Sequence, residues 1–290
     1  MTATLARILK ITAGLATILL MVGCASIPVN QPDLDAPTQL LKQGQQEFRQ
    51  GALNRSLNTI AQALDLAPDR AELWNARAFV YVHQGRITEA IKDFSEAIRL
   101  DPTNAQYLNN LGVEYLETGN PTEAIEVLSE SVRLSPESSL ALTHRGLAYR
   151  QVGKTAEALA DYTAAIALNQ TNATIYANRA VVHASSGNLY LALQDLDRAL
   201  ALDNSLVQAY ESRGLVQMQL LQFDRAIQDF SKAFELGATD HLLFYNRALA
   251  YSLIGDQTKA QQDYAASCHK GYAPACKRTK ASVRTVRQKI

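Results

Sequence analysis

Residues 71–104 read AELWNARAFVYVHQGRITEAIKDFSEAIRLDPTN, and this stretch decides the fold because it recurs. A shift of 34 residues aligns a column of small side chains: Gly44, Ala78, Gly112, Gly146, Ala180, Gly214 and Ala248. Twelve positions later stands a second small column: Ser56, Ala90, Ala124, Ala158, Ala192, Ala226 and Ala260. A third runs Ala63, Ala97, Ser131, Ala165, Ala199, Ala233 and Ser267. Between the last two lie the large residues Ile60, Phe94, Leu128, Tyr162, Leu196, Phe230 and Tyr264. Seven units from Pro37 to Pro274 hold this register without insertion or deletion, and a period of this length marks a solenoid.

Helix axes approach to about 8–10 Å only where the side chains at the crossing are small. The small columns therefore mark crossings, and the large column fills the space beside them. Gly51, Gly85, Gly119, Gly153, Gly187 and Gly255 stand where the first helix of a unit must stop, as in a C-cap turn. Unit six carries Leu221 at that place. Pro68, Pro102 and Pro136 end the first three units.

With Trp74, Ala78, Tyr81, Ala90, Phe94, Ala97 and Pro102 in unit two, the pattern resembles the tetratricopeptide repeat (TPR) family. The resemblance covers Pro37–Pro274 and implies an all-α, right-handed superhelical solenoid of helix-turn-helix units. The units are 37–70, 71–104, 105–138, 139–172, 173–206, 207–240 and 241–274, followed by a capping helix over 275–290. Repeats of this kind are generic binding scaffolds, so the likeness says much about fold and little about function.

One feature belongs to this sequence alone. Arg77, Arg145, Arg179, Arg213 and Arg247 stand just before the small crossing residue, and Asp93, Asp161, Asp195, Asp229 and Asp263 stand sixteen later. Units one and three lack both members, with Gln43 and Thr59, and Leu111 and Val127. Presence and absence in step predict structural ion pairs between the two helices, within a unit or across the joint.

The first thirty residues differ in kind. Arg7 and Lys10 precede the apolar run ITAGLATILLMV, which ends in Met21-Val22-Gly23-Cys24-Ala25. A charged start, an apolar segment of this length and a small residue before a lone Cys resemble the signal peptide (1–23) and lipobox of bacterial lipoproteins. The resemblance implies cleavage before Cys24, acylation of that residue (palmitate among the acyl chains) and a linker through residue 36. Several acyl chains, at about 0.8 kcal/mol per buried CH₂, anchor a protein firmly. The alternative keeps the segment as a short transmembrane anchor. Either way the remainder stands outside the cytoplasm, and Ala25 after the Cys implies the periplasmic side of the outer membrane in a two-membrane bacterium.

Lys+Arg 28 against Asp+Glu 28 excludes a chain-wide polycationic nucleic-acid binder. Removing Arg7, Lys10 and the six cations Lys277, Arg278, Lys280, Arg284, Arg287 and Lys289 leaves 20 basic against 28 acidic residues in the body. The tail reads as a solvating cap, or as a contact for anionic headgroups, wall polymer or an acidic partner. Cys268 and Cys276 flank Gly271 and Pro274, where the chain turns. Their spacing resembles that of Sel1-like helical repeats, which implies a disulfide; two buried free thiols are the alternative.

Catalytic signatures are missing: the five histidines occupy five different repeat positions, and no HExxH, paired CxxC, P-loop or GxSxG occurs. No enzyme, cofactor or metal is expected. In the resembled family the first helix lines a concave groove through positions two, five, nine, twelve and thirteen. Those positions give Glu72, Asn75, Phe79, Val82 and His83, then Gln106, Asn109, Val113, Leu116 and Glu117, then Thr143, Leu147, Arg150 and Gln151. Leu215, Met218, Tyr245 and Leu249 continue the line. The ninth positions carry Gln45, Phe79, Val113, Leu147, Val181, Leu215 and Leu249, so the carboxylate clamp of chaperone-binding repeats is absent. The expected role is an envelope adaptor that holds segments of partner proteins such as cell-wall enzymes. Alternatives are a pilotin-like assembly factor for a pilus or secretion pore, and a self-assembling structural protein.

Overall fold

The computed structural model describes residues 35–279. The expected signal peptide, Cys24, the linker up to residue 34 and the tail from Lys280 onward lie outside the described residues.

Within the described residues the chain is a succession of antiparallel helix pairs. Unit one pairs α1 (Ala36–Arg49) with α2 (Leu53–Leu66), unit two α3 (Ala71–His83) with α4 (Ile87–Leu100), and unit three α5 (Ala105–Glu117) with α6 (Pro121–Leu134). Unit four has α7 (Ser139–Gln151) and α8 (Thr155–Leu168), and unit five α9 (Ala173–Ser185) and α10 (Leu189–Leu202). Units six and seven follow as α11 (Val207–Gln219) with α12 (Phe223–Glu235) and α13 (His241–Leu253) with α14 (Gln257–His269). A further helical segment covers residues 273–279. It starts two residues before the expected boundary, because Pro274 is tolerated in a first turn, where its missing N–H is not needed. Ala275 is fully buried against Ala248, Ala260 and Tyr264, so this segment covers the open end of unit seven.

The interior follows the columns. Ile60, Phe94, Leu128, Tyr162, Leu196, Phe230 and Tyr264 are all nearly or wholly buried. Each presses on the small residue sixteen positions earlier, which shows where the two helices of a unit cross. A Cβ placed on Gly44 would stand 2.6 Å from Ile60, and one on Gly146 would stand 3.0 Å from the Tyr162 ring. Truncating one of the aromatic members to Ala would cost about 3–5 kcal/mol. Adjacent first helices also touch, as in α1·α3, α5·α7, α7·α9, α9·α11 and α11·α13, whereas second helices do not pack on one another to that extent. First helices therefore line the inner side of the curve.

The turn between the two helices reverses through a left-handed residue. In unit two Gly85 has φ 72°, and the Arg86 N–H closes the turn on the Tyr81 carbonyl at 2.9 Å. Unit six makes the same turn with Leu221, the one non-glycine residue with positive φ among the described residues. The Gln222 N–H reaches the Gln217 carbonyl at 2.8 Å, so the repeat imposes its turn even where the side chain opposes it.

The Arg and Asp columns meet within each unit. Arg179 donates from Nε and Nη2 to the two carboxylate oxygens of Asp195, both at 2.8 Å. Arg77–Asp93, Arg145–Asp161, Arg213–Asp229 and Arg247–Asp263 repeat this two-pronged pairing at 2.7–2.9 Å. All five aspartates are buried. In three units the guanidinium also reaches back to the preceding unit: Arg179 to Thr163, Arg213 to Asp197, Arg247 to Ser231. One side chain thus ties three helices, and bonding to the aspartate first of all raises the pKa of Arg77, Arg145, Arg179 and Arg213 further.

Two outcomes follow for stability. Leu221→Gly, at a side chain 73% exposed, should stabilise the fold by about 0.5–1 kcal/mol in denaturant unfolding, because it relieves the left-handed strain and loses few contacts. Asp195→Ala should cost about 3 kcal/mol, and a double-mutant cycle with Arg179→Ala should show coupling; additive costs would mean the pair contributes nothing.

Candidate functional site

The inner face holds a cleft of about 360 Å³ across units one to three, within the size range of ligand sites. Its walls come mainly from first helices, Gln45 and Phe48 from α1, Asn75 and Phe79 from α3, Gln106 and Tyr107 from α5, with Ile60 of α2 and Asn104 before α5 completing them. Phe79 is 36% exposed and stands edge-on to the buried Phe94. Phe48 meets His83 edge-on at 4.6 Å, and the His83 Nδ1–H donates to the Phe79 carbonyl at 2.9 Å. The walls thus combine an aromatic surface with amides that both donate and accept, a set suited to a peptide with an apolar side chain.

Glu72, Asn75 and Phe79 all line this cleft, together with Gln106. Glu72 is engaged by Arg70 at 2.6 Å, and Asn75 Oδ1 accepts from Asn110 at 2.9 Å. Val82, Val113 and Leu147 are half-buried in the joints between units. Leu215 is 43% exposed further along, while Met218 packs against the unit-six core. Tyr245 sits in a ring cluster with Tyr264 and Tyr272 at the capped end.

Three expected groove residues lie inside the packing instead. Asn109 is buried, and its Oδ1 accepts from His144 Nδ1–H at 2.8 Å. Thr143 is buried and donates its hydroxyl to the Ser139 carbonyl. Leu116 is buried against Ala124, Leu128 and Ala148. For Asn109 and Thr143 the physical reason is the contact of α5 with α7 and of α7 with α9, which covers position five in the middle of the solenoid; Leu116, at position twelve, is covered by α6 and α7. Arg150 is half-buried, with Nε lacking a hydrogen-bond partner, beside the buried Tyr162, whose hydroxyl burial pushes up to about 12. Phe48 was missing from the expected set, although the same register carried into unit one puts it at position twelve.

Cys268 and Cys276 lie with Cα atoms 4.8 Å apart and their sulfurs facing. Among the described residues no cluster of His, Cys, Asp or Glu fit to hold a metal is present, and no helix is long and apolar enough to cross a membrane. Burial holds His144 and His183 below the ordinary histidine value.

Comparison with known proteins agrees with this architecture. A model described as TPR repeat matches residues 80–119 and 146–187, and one described as tetratricopeptide repeat matches 105–138. The chain carries tetratricopeptide repeats. A tetratricopeptide repeat protein from Parabacteroides merdae superposes with TM-score 0.68 at 19% identity, over 84% of this chain and 98% of that one. Pseudomonas aeruginosa pilF gives 0.63 at 20% identity, over 77% and 97%. YrrB, a TPR protein with an unusual peptide-binding site, gives 0.51 at 24% identity, over 59% and 88%. At these identities the likeness is one of fold. No curated protein matches the chain in sequence.

Glu114 is an acid in a column that holds Gln46 in unit one and otherwise Val80, Ala148, Val182, Val216 and Ala250. It is 6% exposed, and its Oε2 has no hydrogen-bond partner. Burial first, and Glu117 second, push its pKa above the ordinary 4.5. Below that value folded and unfolded chains are both protonated; above it the unfolded chain ionises first, so stability falls as pH rises. Glu114→Gln should therefore stabilise by about 1–2 kcal/mol at pH 8 and by nothing at pH 4, read by unfolding at both pH values.

Proposed function

We propose that the protein is a non-catalytic adaptor of the bacterial cell envelope. In this reading a lipid on Cys24 holds it to the membrane, on the periplasmic face of the outer membrane where there are two membranes. The groove of first helices grips an extended or helical segment of a partner protein. The observation that carries the groove is the cleft formed by Gln45, Phe48, Asn75, Phe79, Gln106 and Tyr107. There an exposed aromatic wall faces the same space as the side-chain amides of Gln45 and Gln106 and the remaining N–H groups of Asn75, whose oxygen is taken by Asn110. Supporting it, tetratricopeptide-repeat proteins are interaction scaffolds, and YrrB is one with a peptide-binding site. The anchor rests on Gly23-Cys24-Ala25 after a charged start and an apolar run. In an oxidising compartment Cys268 and Cys276 would close as a disulfide clipping the cap to unit seven. Partners of this role are wall enzymes or components of pilus and secretion machinery.

Capture from detergent-solubilised membranes tests the groove. Phe79→Ala with Gln106→Ala should lose bound partners at least tenfold while the protein stays folded, its melting temperature lowered only by the loss of the edge contact of Phe79 with Phe94. Full retention of the same partners would remove the groove from the function. Cys24→Ser should move the protein out of the membrane fraction, and continued membrane retention would favour the uncut anchor.

A further inference from the structure

A second cleft, of about 260 Å³, opens on the side away from the groove, between α10, α11 and α12. Its walls include Leu193, Asp197, Arg213, Gln217, Gln222 and Arg225. The cleft lies where one repeat position is filled abnormally. At that position the other units with ion pairs carry Tyr81, Tyr149, His183 and Tyr251, and unit six carries Gln217.

The tyrosines have a shared task. Tyr81, Tyr149 and Tyr251 lie 5.7, 5.7 and 5.8 Å from the guanidinium of their own unit's ion-pair arginine. In unit seven the cation Lys259 also stands 5.3 Å from the Tyr251 ring, and Arg225 is its counterpart in unit six. Gln217 supplies no ring, so Arg213 and Arg225 border an open space. Gln217 is itself 7% exposed, and its Oε1 has no hydrogen donor. The acids on the walls are consumed, since Asp229 and Asp197 both accept from Arg213. Arg213 already faces the Tyr210 ring at 5.6 Å, as Arg77 faces Trp74 at 4.8 Å and Arg247 faces Phe234 at 4.3 Å. What the cleft lacks is therefore the second π face that Arg77 and Arg247 find in Tyr81 and Tyr251, and a proton donor for an amide oxygen. A phenol supplies both. Residues 1–34 and 280–290 contain no Phe, Tyr or Trp, so neither stretch supplies the ring.

We propose that this cleft receives the side chain of a tyrosine on a partner protein. Its ring lies between Arg213 and Arg225, and its hydroxyl donates to Gln217. The site is independent of the inner groove and stands or falls apart from it.

The test is titration of the full-length chain, ¹⁵N-labelled at glutamine and held in detergent, with p-cresol and with toluene as probes. Gln217→Tyr serves as the reference, because it fills the cleft from within while any partition of probe into detergent stays the same. The Gln217 side-chain amide signal should shift saturably with p-cresol, with a Kd on the order of 1 mM for a probe of about eight non-hydrogen atoms. Toluene should bind several-fold more weakly, and Gln217→Tyr should melt at a higher temperature than the parent. No saturable shift, equal shifts with toluene, or a lower melting temperature for Gln217→Tyr would each overturn the proposal. So would a dimer of the protein alone that Gln217→Tyr dissolves. The occupant would then be Tyr190 of a second copy, a ring 71% exposed one helical turn from Leu193.

Discussion

Everything in this molecule depends on the contact of a small residue in each first helix with a large one sixteen positions later. Gly44 against Ile60, Ala78 against Phe94 and Gly112 against Leu128 set the distance between the two helices of a unit. Once that distance repeats, the angle between successive units repeats as well, and the curvature accumulates with the first helices inside. The inner cleft exists because three such units place Phe48, Phe79 and Tyr107 on one wall.

The outer flank of the same crossing is closed by different chemistry in different units. Five units use a two-pronged Arg–Asp pair. Unit one uses Thr59, whose hydroxyl donates to Glu47 at 2.8 Å. Unit three uses Leu111, buried in an apolar cluster that Val127 completes. A well-packed apolar pair is about as stabilising as a buried ionic one, so the fold tolerates either. This interchangeability is what a structural pairing predicts, and it is not what a charged ligand track would show. In units five to seven the arginine also reaches a neighbour in the preceding unit, stiffening the joint as well as the unit.

The period, the crossing columns, the turn residues and the Arg–Asp partnership were all legible in the chain. The reason is physical: each unit meets only its neighbours, so the same local demands return every 34 residues. The lipobox resemblance is a matter of local sequence alone, since it concerns residues 1–25. What escaped was whatever the repeat does differently once units stack. Asn109 and Thr143 share a register position with Asn75, yet the close approach of α5, α7 and α9 buries them. Thr163, Asp197 and Ser231 accept from arginines on the first helix of the next unit, and their changing identity leaves no column to read.

Sequence by itself determined the architecture and the pairing within units, because both rest on side-chain size and charge at fixed offsets along one chain. Tertiary structure alone decided which inner-face residues stay open, because openness depends on how tightly adjacent first helices close. It also decided that Glu114 is a buried acid and that Gln217 borders a cleft. Each occupies an ordinary register position, and only the neighbours packed around it reveal an unmet demand: solvation for the carboxylate, a donor for the amide.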